Sequence, residues 1–251
     1  MLKQLMNNKE QYLYENFRLT NQFSEESISI KQLLHERTLL MYLHQIKNDL
    51  GTDSLYVAAS QFMKRMGYVL AVPFLYSMTI LDKKLTIHLL DSLIVSKTVK
   101  QTWMPNLYIP NDSLLNTLST NRSHNRKEAL DELFGTIALM IDKLAKVSSV
   151  PKSVLWENVA IYVYWLYKKK LKEEEFLVYQ DQMEQDFSYL LNEIPGHIFH
   201  QSKNPLQYFY AQKPQNDEKS SQPRVRKTCC FYYKTTQSNG SFCGGCPKKC
   251  H

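Results

Sequence analysis

All five cysteines of the chain lie between Cys229 and Cys250, and the long stretch before them holds none. That stretch therefore has to fold by burying apolar surface, and whatever the cysteines do is done at the C-terminus. With 251 residues, the chain is long enough for one large domain with a small appendage. Apolar residues make up 43% and charged residues 22%, as in ordinary globular proteins. Only seven glycines occur, which favours helices over a sandwich or barrel. The expected fold class is α+β, mainly helical with a small antiparallel sheet, followed by the cysteine segment. Residues 1–212 form the body, 213–223 a polar linker with Pro214 and Pro223, and 224–251 the cysteine segment.

Apolar periodicity predicts helices over Gln32–Leu50, from Tyr56 through Met66, over Ala129–Val147, over Ser153–Lys170 and over Glu173–Leu191. Pro73 predicts a break or a second helix start. Lys84–Trp103 reads as two or three short strands forming a hairpin, from the β-branched segments Leu85–Leu89 and Leu93–Val99 with Asp91-Ser92 between them, and Asn111–Lys127 reads as a loop or capped helix start. The start of the chain shows no secretory signal. The longest apolar run, Tyr68–Leu81, has 14 residues against the roughly 20 a membrane span needs. The expectation is a cytoplasmic protein without a transmembrane segment, with peripheral contact at the inner face of the cell membrane left open. In that compartment cysteines stay reduced and serve metals or catalysis.

The formal net charge is +7, and residues 219–251 supply all of it. They carry Lys219, Arg224, Arg226, Lys227, Lys234, Lys248 and Lys249 and no Asp or Glu, so the remaining residues balance at 24 basic against 24 acidic. A basic tail can serve nucleic acid or an acidic partner. Beside thiolates it can also offset a negatively charged metal centre.

The cysteines are an adjacent pair, Cys229-Cys230, then 12 residues, then Cys243-Gly-Gly-Cys246, with Cys250 beyond. Gly244 and Gly245 allow the tight bend of a CxxC turn, and Asn239-Gly240 supplies a reversal that carries Cys243 and Cys246 back towards the adjacent pair. On spacing alone three kinds of site remain: structural zinc, an iron–sulfur cluster, or disulfides in a loose tail. The adjacent pair leans towards a two-iron cluster. Neighbouring side chains on an extended strand point opposite ways and suit a single zinc ion poorly.

The run from Arg226 through Cys229-Cys230-Phe-Tyr-Tyr-Lys234, together with Phe242-Cys-Gly-Gly-Cys246, resembles the C-terminal signature of the FhuF-like ferric-siderophore reductases. Ala59-Ser-Gln-Phe-Met-Lys-Arg65, Val154-Leu-Trp-Glu-Asn158 and Asn204-Pro-Leu206 are similar, more loosely, to the helical body of that family. The family gap is about ten residues, against 12 here. Cys250 lies outside the signature and is expected to be a non-ligating thiol.

The resemblance implies a [2Fe–2S] cluster on Cys229, Cys230, Cys243 and Cys246, and one-electron reduction of a ferric siderophore, expected to be an anionic chelate of hydroxamate or citrate-hydroxamate type. Lys64, Arg65, Arg224, Arg226 and Lys227 are the candidate substrate-binding cations. No GxGxxG or P-loop pattern occurs, so electrons are expected from an external donor such as a ferredoxin, flavodoxin or reductase. Nucleic acid is not an expected partner. The alternatives are a zinc-stabilised basic binding module and a [2Fe–2S] electron carrier or redox sensor. His197 and His200 form an HxxH pair that reads as an exposed loop rather than a metal half-site. His251 reads as terminal, and Trp156 and Trp165 as packing residues.

Overall fold

The computed structural model describes residues 2–85, 88–100, 102–110, 114–117, 121–210 and 224–250, with the side chains of 2–7, 85, 114–117 and 250 excluded. The expected linker, 213–223, lies outside the described residues. The fold is mainly helical with small sheets. Its helices are α1 (Leu2–Asn16), α2 (Ile30–Leu33), α3 (Glu36–Ile46), α4 (Leu55–Ile80), α5 (Arg122–Ser148), α6 (Lys152–Lys168), α7 (Gln180–Asn192) and α8 (Pro205–Tyr210). The strands are β1 (Leu19–Thr20), β2 (Ile28–Ser29), β3 (Lys83–Leu85), β4 (Leu93–Val95), β5 (Thr98–Val99), β6 (Thr102–Trp103), β7 (Asn106–Tyr108) and β8 (Leu114–Thr117).

Helix α4 is the axis of the molecule. It is apolar on all sides, as a helix must be when every side meets protein, and Phe62, Met63, Met66, Val69, Leu70, Val72 and Leu75 have no exposure. Ser54 caps it by accepting from the Val57 amide at 3.4 Å. Its closest partner is α6, and Gly67 sets the approach: a Cβ there would stand 3.0 Å from the Val159 Cα. Helix α5 covers a further side with Leu130, Leu133, Phe134, Ile137, Ile141 and Leu144, all buried.

The break expected at Pro73 does not occur, and α4 runs through it. Proline removes one amide donor from a helix, but Pro73 is fully enclosed, and the core packed around it holds the chain helical on both sides. The helix expected over Gln32–Leu50 is split in two. Ser29 and Gln32 form a capping box that starts α2 early, and the chain turns at Leu34–His35 before α3.

The sheet is mixed rather than antiparallel. It has four strands in the order β1-β7-β4-β2, with β1 parallel to β7. Among the described residues, Leu85–Leu89 and Leu93–Val99 do not pair with each other, but the stretch from Lys84 to Trp103 does hold short strands, and β5 pairs antiparallel with β6. Strand β3 pairs with β8, inside the segment expected to be loop, and β4 pairs with β2 and β7. Leu89–Asp91 forms a 3₁₀ turn instead of the first hairpin arm.

A buried ion cluster ties α4, α5 and α7 together. Asp186 is completely buried and accepts from Arg122 at 2.8 and 3.0 Å, from Arg126 at 3.1 Å and from Thr79 at 2.9 Å. Charges this deep persist only when paired and hydrogen-bonded. No helix among the described residues is long and apolar enough to cross a membrane.

Candidate metal centre

Helices α4 and α6 are apolar except where the cysteine segment crosses them, and there each buries side chains that a core would otherwise reject. Glu157 on α6 is 4% exposed. Its Oε1 accepts the Lys227 amide at 2.7 Å, and its Oε2 accepts the Thr228 amide at 2.7 Å and the Thr228 hydroxyl. The Arg226 guanidinium, itself buried, lies 3.6 Å from the same carboxylate. Asn158 Oδ1 accepts from Arg226 Nη2 at 2.7 Å, while its amide donates to the Ser60 carbonyl and hydroxyl at 2.9 and 3.1 Å. Ser60 and Gln61 on α4 then donate to the Cys230 carbonyl at 3.0 and 2.6 Å. A continuous buried network thus fixes the backbone from Arg226 to Cys230. The motifs Val154–Asn158 and Ala59–Arg65 are the two sides of that cradle.

The rest of the segment folds back in turns. Phe231 takes a left-handed conformation, φ 61°, and its ring meets Tyr56 edge-on at 5.0 Å. The residues between the cysteine pairs form two 3₁₀ turns, Tyr232–Lys234 and Thr236–Ser238. They dock on the α3–α4 loop, where the Thr236 amide donates to the Gly51 carbonyl at 2.8 Å and the Gln237 amide group to the Asp49 carbonyl at 3.0 Å. Asn239 and Gly240, both at positive φ, make the expected reversal. The CxxC turn closes with the Cys246 amide on the Cys243 carbonyl at 3.0 Å, and the Arg226 amide on the Gly245 carbonyl at 2.9 Å ties it to the irregular chain before the adjacent pair. Gly245 is required here, since a Cβ would stand 2.3 Å from the Arg224 carbonyl oxygen.

Four free thiols result, with Cys230 and Cys246 buried and Cys229 and Cys243 partly so. The sulfurs meet as two pairs: Cys229 with Cys246 at 4.0 Å, and Cys230 with Cys243 at 3.6 Å. A tetrahedral ion with metal–sulfur bonds of about 2.3 Å separates its sulfurs by about 3.8 Å. Each pair has that spacing by itself, yet among the described residues no three His, Cys, Asp or Glu side chains gather around one point. The two pairs together would suit a centre with two metal positions, each holding one thiol of the adjacent pair and one of the CxxC turn, and either pair alone would suit half of a zinc site.

The electrostatics favour thiolate at Cys230. Its proton is pushed off, to about 4, first by the Cys243 thiol donating to it and then by Lys64 and Arg226, against the opposing effect of burial. Cys243 is raised in turn, because it keeps the proton that the pair shares. Lys64 Nζ lies 3.8 Å from Cys230 Sγ, and the Phe231 amide lies 3.4 Å from Cys229 Sγ. Cys229 is raised by burial, with that amide opposing the shift.

The candidate substrate cations divide. Lys64 faces the sulfurs and Arg65 lies one residue on, 9% exposed. The other three are engaged elsewhere. Arg226 is buried against Glu157 and Asn158, Arg224 donates to the Phe209 and Tyr210 carbonyls, and Lys227 Nζ sits 3.4 Å from the Tyr208 ring centroid. His200 pairs with Asp142 at 2.7 Å and His197 is exposed. Trp156 is buried against Phe199, as expected of a packing residue. The Cys250 side chain and His251 lie outside the described residues. Sequence reasoning missed Glu157, Asn158, Ser60 and Gln61 as ligand-positioning residues. The signal was there in strongly polar residues set inside otherwise apolar helices.

No protein-family model matches the chain, and a comparison with curated proteins finds no match either.

Proposed function

We propose that the protein is a ferric-siderophore reductase, which binds an anionic ferric chelate and converts Fe(III) to Fe(II) by one electron. One observation carries this: four thiols in two close pairs, held by buried side chains of α4 and α6, in a segment whose cysteine spacing resembles that of the FhuF-like reductases. Cys229 and Cys246 would hold one iron of a [2Fe–2S] cluster, and Cys230 and Cys243 the other. Such a cluster, when bound, supplies single electrons.

The chain's own residues do three things. Glu157, Asn158, Ser60 and Gln61 fix the backbone that carries the adjacent thiols. Lys64 and the Phe231 amide aim positive charge at the sulfurs, which favours the more negative, reduced state. The basic groups attract anionic chelates. Hydroxamate, catecholate and carboxylate oxygens are hard ligands that hold Fe(III) far better than Fe(II), so one added electron makes the iron labile. An external carrier such as a ferredoxin, flavodoxin or reductase supplies that electron, and the cytoplasm is where the released iron is used.

A single-turnover assay tests this. Protein reconstituted without air and pre-reduced with dithionite, then freed of it, is mixed with ferric citrate and with a ferric trihydroxamate in the presence of a ferrous trap. The expected result is Fe(II) equal to the electrons stored. Absence of Fe(II) with every chelate would replace the reductase by a carrier or sensor.

A further inference from the structure

A group of cations near the cysteine centre has no carboxylate partner among the described residues. Among the described residues the arginine–carboxylate pairs involve Arg122, Arg126 and Arg226, and neither Arg18 nor Arg65 takes part in one. Lys64 is likewise without a carboxylate; its contacts are Cys230 Sγ and the face of Tyr232, 5.5 Å from the centroid. Arg65 is nine-tenths buried. Its Nη1 donates to the Gln61 carbonyl and side chain, both at 3.1 Å, and its Nε, also buried, has no partner. The Arg65 guanidinium is lowered to about 10, first by burial and in part by the nearby Arg18, with Tyr162 opposing the shift.

Arg18 comes from a distant part of the chain. It lies between α1 and β1 at φ 54°, a conformation that costs a non-glycine residue energy and tends to persist where function requires it. Its guanidinium lies over the Tyr68 ring at 4.7 Å. Tyr68 meets Tyr162 edge-on at 5.3 Å and Trp165 at 5.9 Å. The Tyr162 phenol feels Arg65, Arg18 and Cys230 and makes no hydrogen bond among the described residues. Two guanidinium groups, an ammonium and a free phenol thus converge on one aromatic-walled face of α4 and α6, with Cys230 at its edge.

We infer that Arg18, Arg65, Lys64 and Tyr162 form the binding site for the anionic chelate, and that it prefers chelates presenting carboxylates. Guanidinium forks match carboxylate geometry, and Tyr162 can donate one more hydrogen bond. This assignment takes the ferric-chelate class from the proposed function; the site itself rests on the unpaired cations. A charge-compensating role for the metal centre competes for Lys64 and Arg65, which feel Cys230. Arg18 separates the two, because its guanidinium stacks on Tyr68 beside Tyr162, whereas Lys64 is the cation in contact with Cys230 Sγ.

The test uses the cluster-bearing protein and gallium(III) citrate, which cannot be reduced, with binding followed by Trp165 fluorescence in a Trp103→Phe, Trp156→Phe background and confirmed by calorimetry. The expected outcome is saturable binding that weakens at least tenfold in Arg18→Ala, is partly restored in Arg18→Lys, and leaves the visible spectrum unchanged. A cationic gallium trihydroxamate should bind more weakly than the citrate complex. If the tryptophan substitutions disturb the fold, calorimetry on the otherwise unaltered protein gives the same comparison. Equal affinity in Arg18→Ala and the parent would overturn the site, even if ferric chelates are still reduced. Gallium citrate binding through Arg18 without reduction of any ferric chelate would leave the site standing and remove the reductase.

Discussion

Glu157 is the single residue on which the cysteine segment most depends. Its carboxylate takes two backbone amides and a hydroxyl just before Cys229 and lies beside the buried Arg226 guanidinium. Removing one partner of a buried charge pair costs about 3–5 kcal/mol, because the other is left uncompensated. Glu157→Ala should therefore release the segment while the body stays folded. Hydrogen exchange would show lost protection at residues 226–230, and the cluster would be lost on reconstitution; unchanged protection there would contradict the cradle. Asp186 gives the contrasting case. Asp186→Ala leaves Arg126 without a carboxylate and Arg122 with Asp82 alone, and should cost about 3 kcal/mol in global stability by urea unfolding. Among the thiols, Ser at Cys229, Cys230, Cys243 or Cys246 should abolish or badly weaken the cluster, whereas Cys250→Ser should keep it. Iron and sulfide content after reconstitution checks this, and normal content in Cys246→Ser with loss in Cys250→Ser would reverse the assignment.

Helix α4 joins the core to the site. Its middle packs against α6 through Gly67, and one end carries Ser60, Gln61, Lys64 and Arg65 to the cysteines. Gly67→Ala would push a Cβ to 3.0 Å from the Val159 backbone, so the helices must separate. The expected cost is about 1–3 kcal/mol in urea unfolding, with weaker cluster retention because Asn158 and Ser60 lose register. An unchanged midpoint would show that α4 and α6 can shift freely. The long helices α5 and α6 were legible in the sequence, since one-sided packing leaves a 3.6-residue stripe. The strands were legible only as β-branched residues. Their partners come from far along the chain, as β3 with β8 and β1 with β7, and no local pattern encodes a long-range pairing. Pro73 misled for the related reason that tertiary packing overrode a local preference.

At the scale of the whole molecule, the sequence showed a neutral body and a tail carrying all of the +7. The fold redistributes that charge. Arg226 is neutralised by Glu157, Arg224 is spent on backbone carbonyls and Lys227 on an aromatic ring, while the body supplies Lys64 at the Cys230 thiol and, farther along the same face, Arg65 and Arg18 without carboxylate partners among the described residues. The four cysteines could be read from spacing and resemblance, but their division into the pairs 229–246 and 230–243 needed the turns at Phe231 and Asn239-Gly240. That division is the ground on which the two-iron centre is proposed. The direct test is the visible spectrum with iron, sulfide and zinc analysis on protein purified without air and reconstituted. The account predicts a red-brown protein with about two irons and two sulfides per chain, as a [2Fe–2S] centre requires. A colourless protein that keeps one zinc per chain after reconstitution would contradict it.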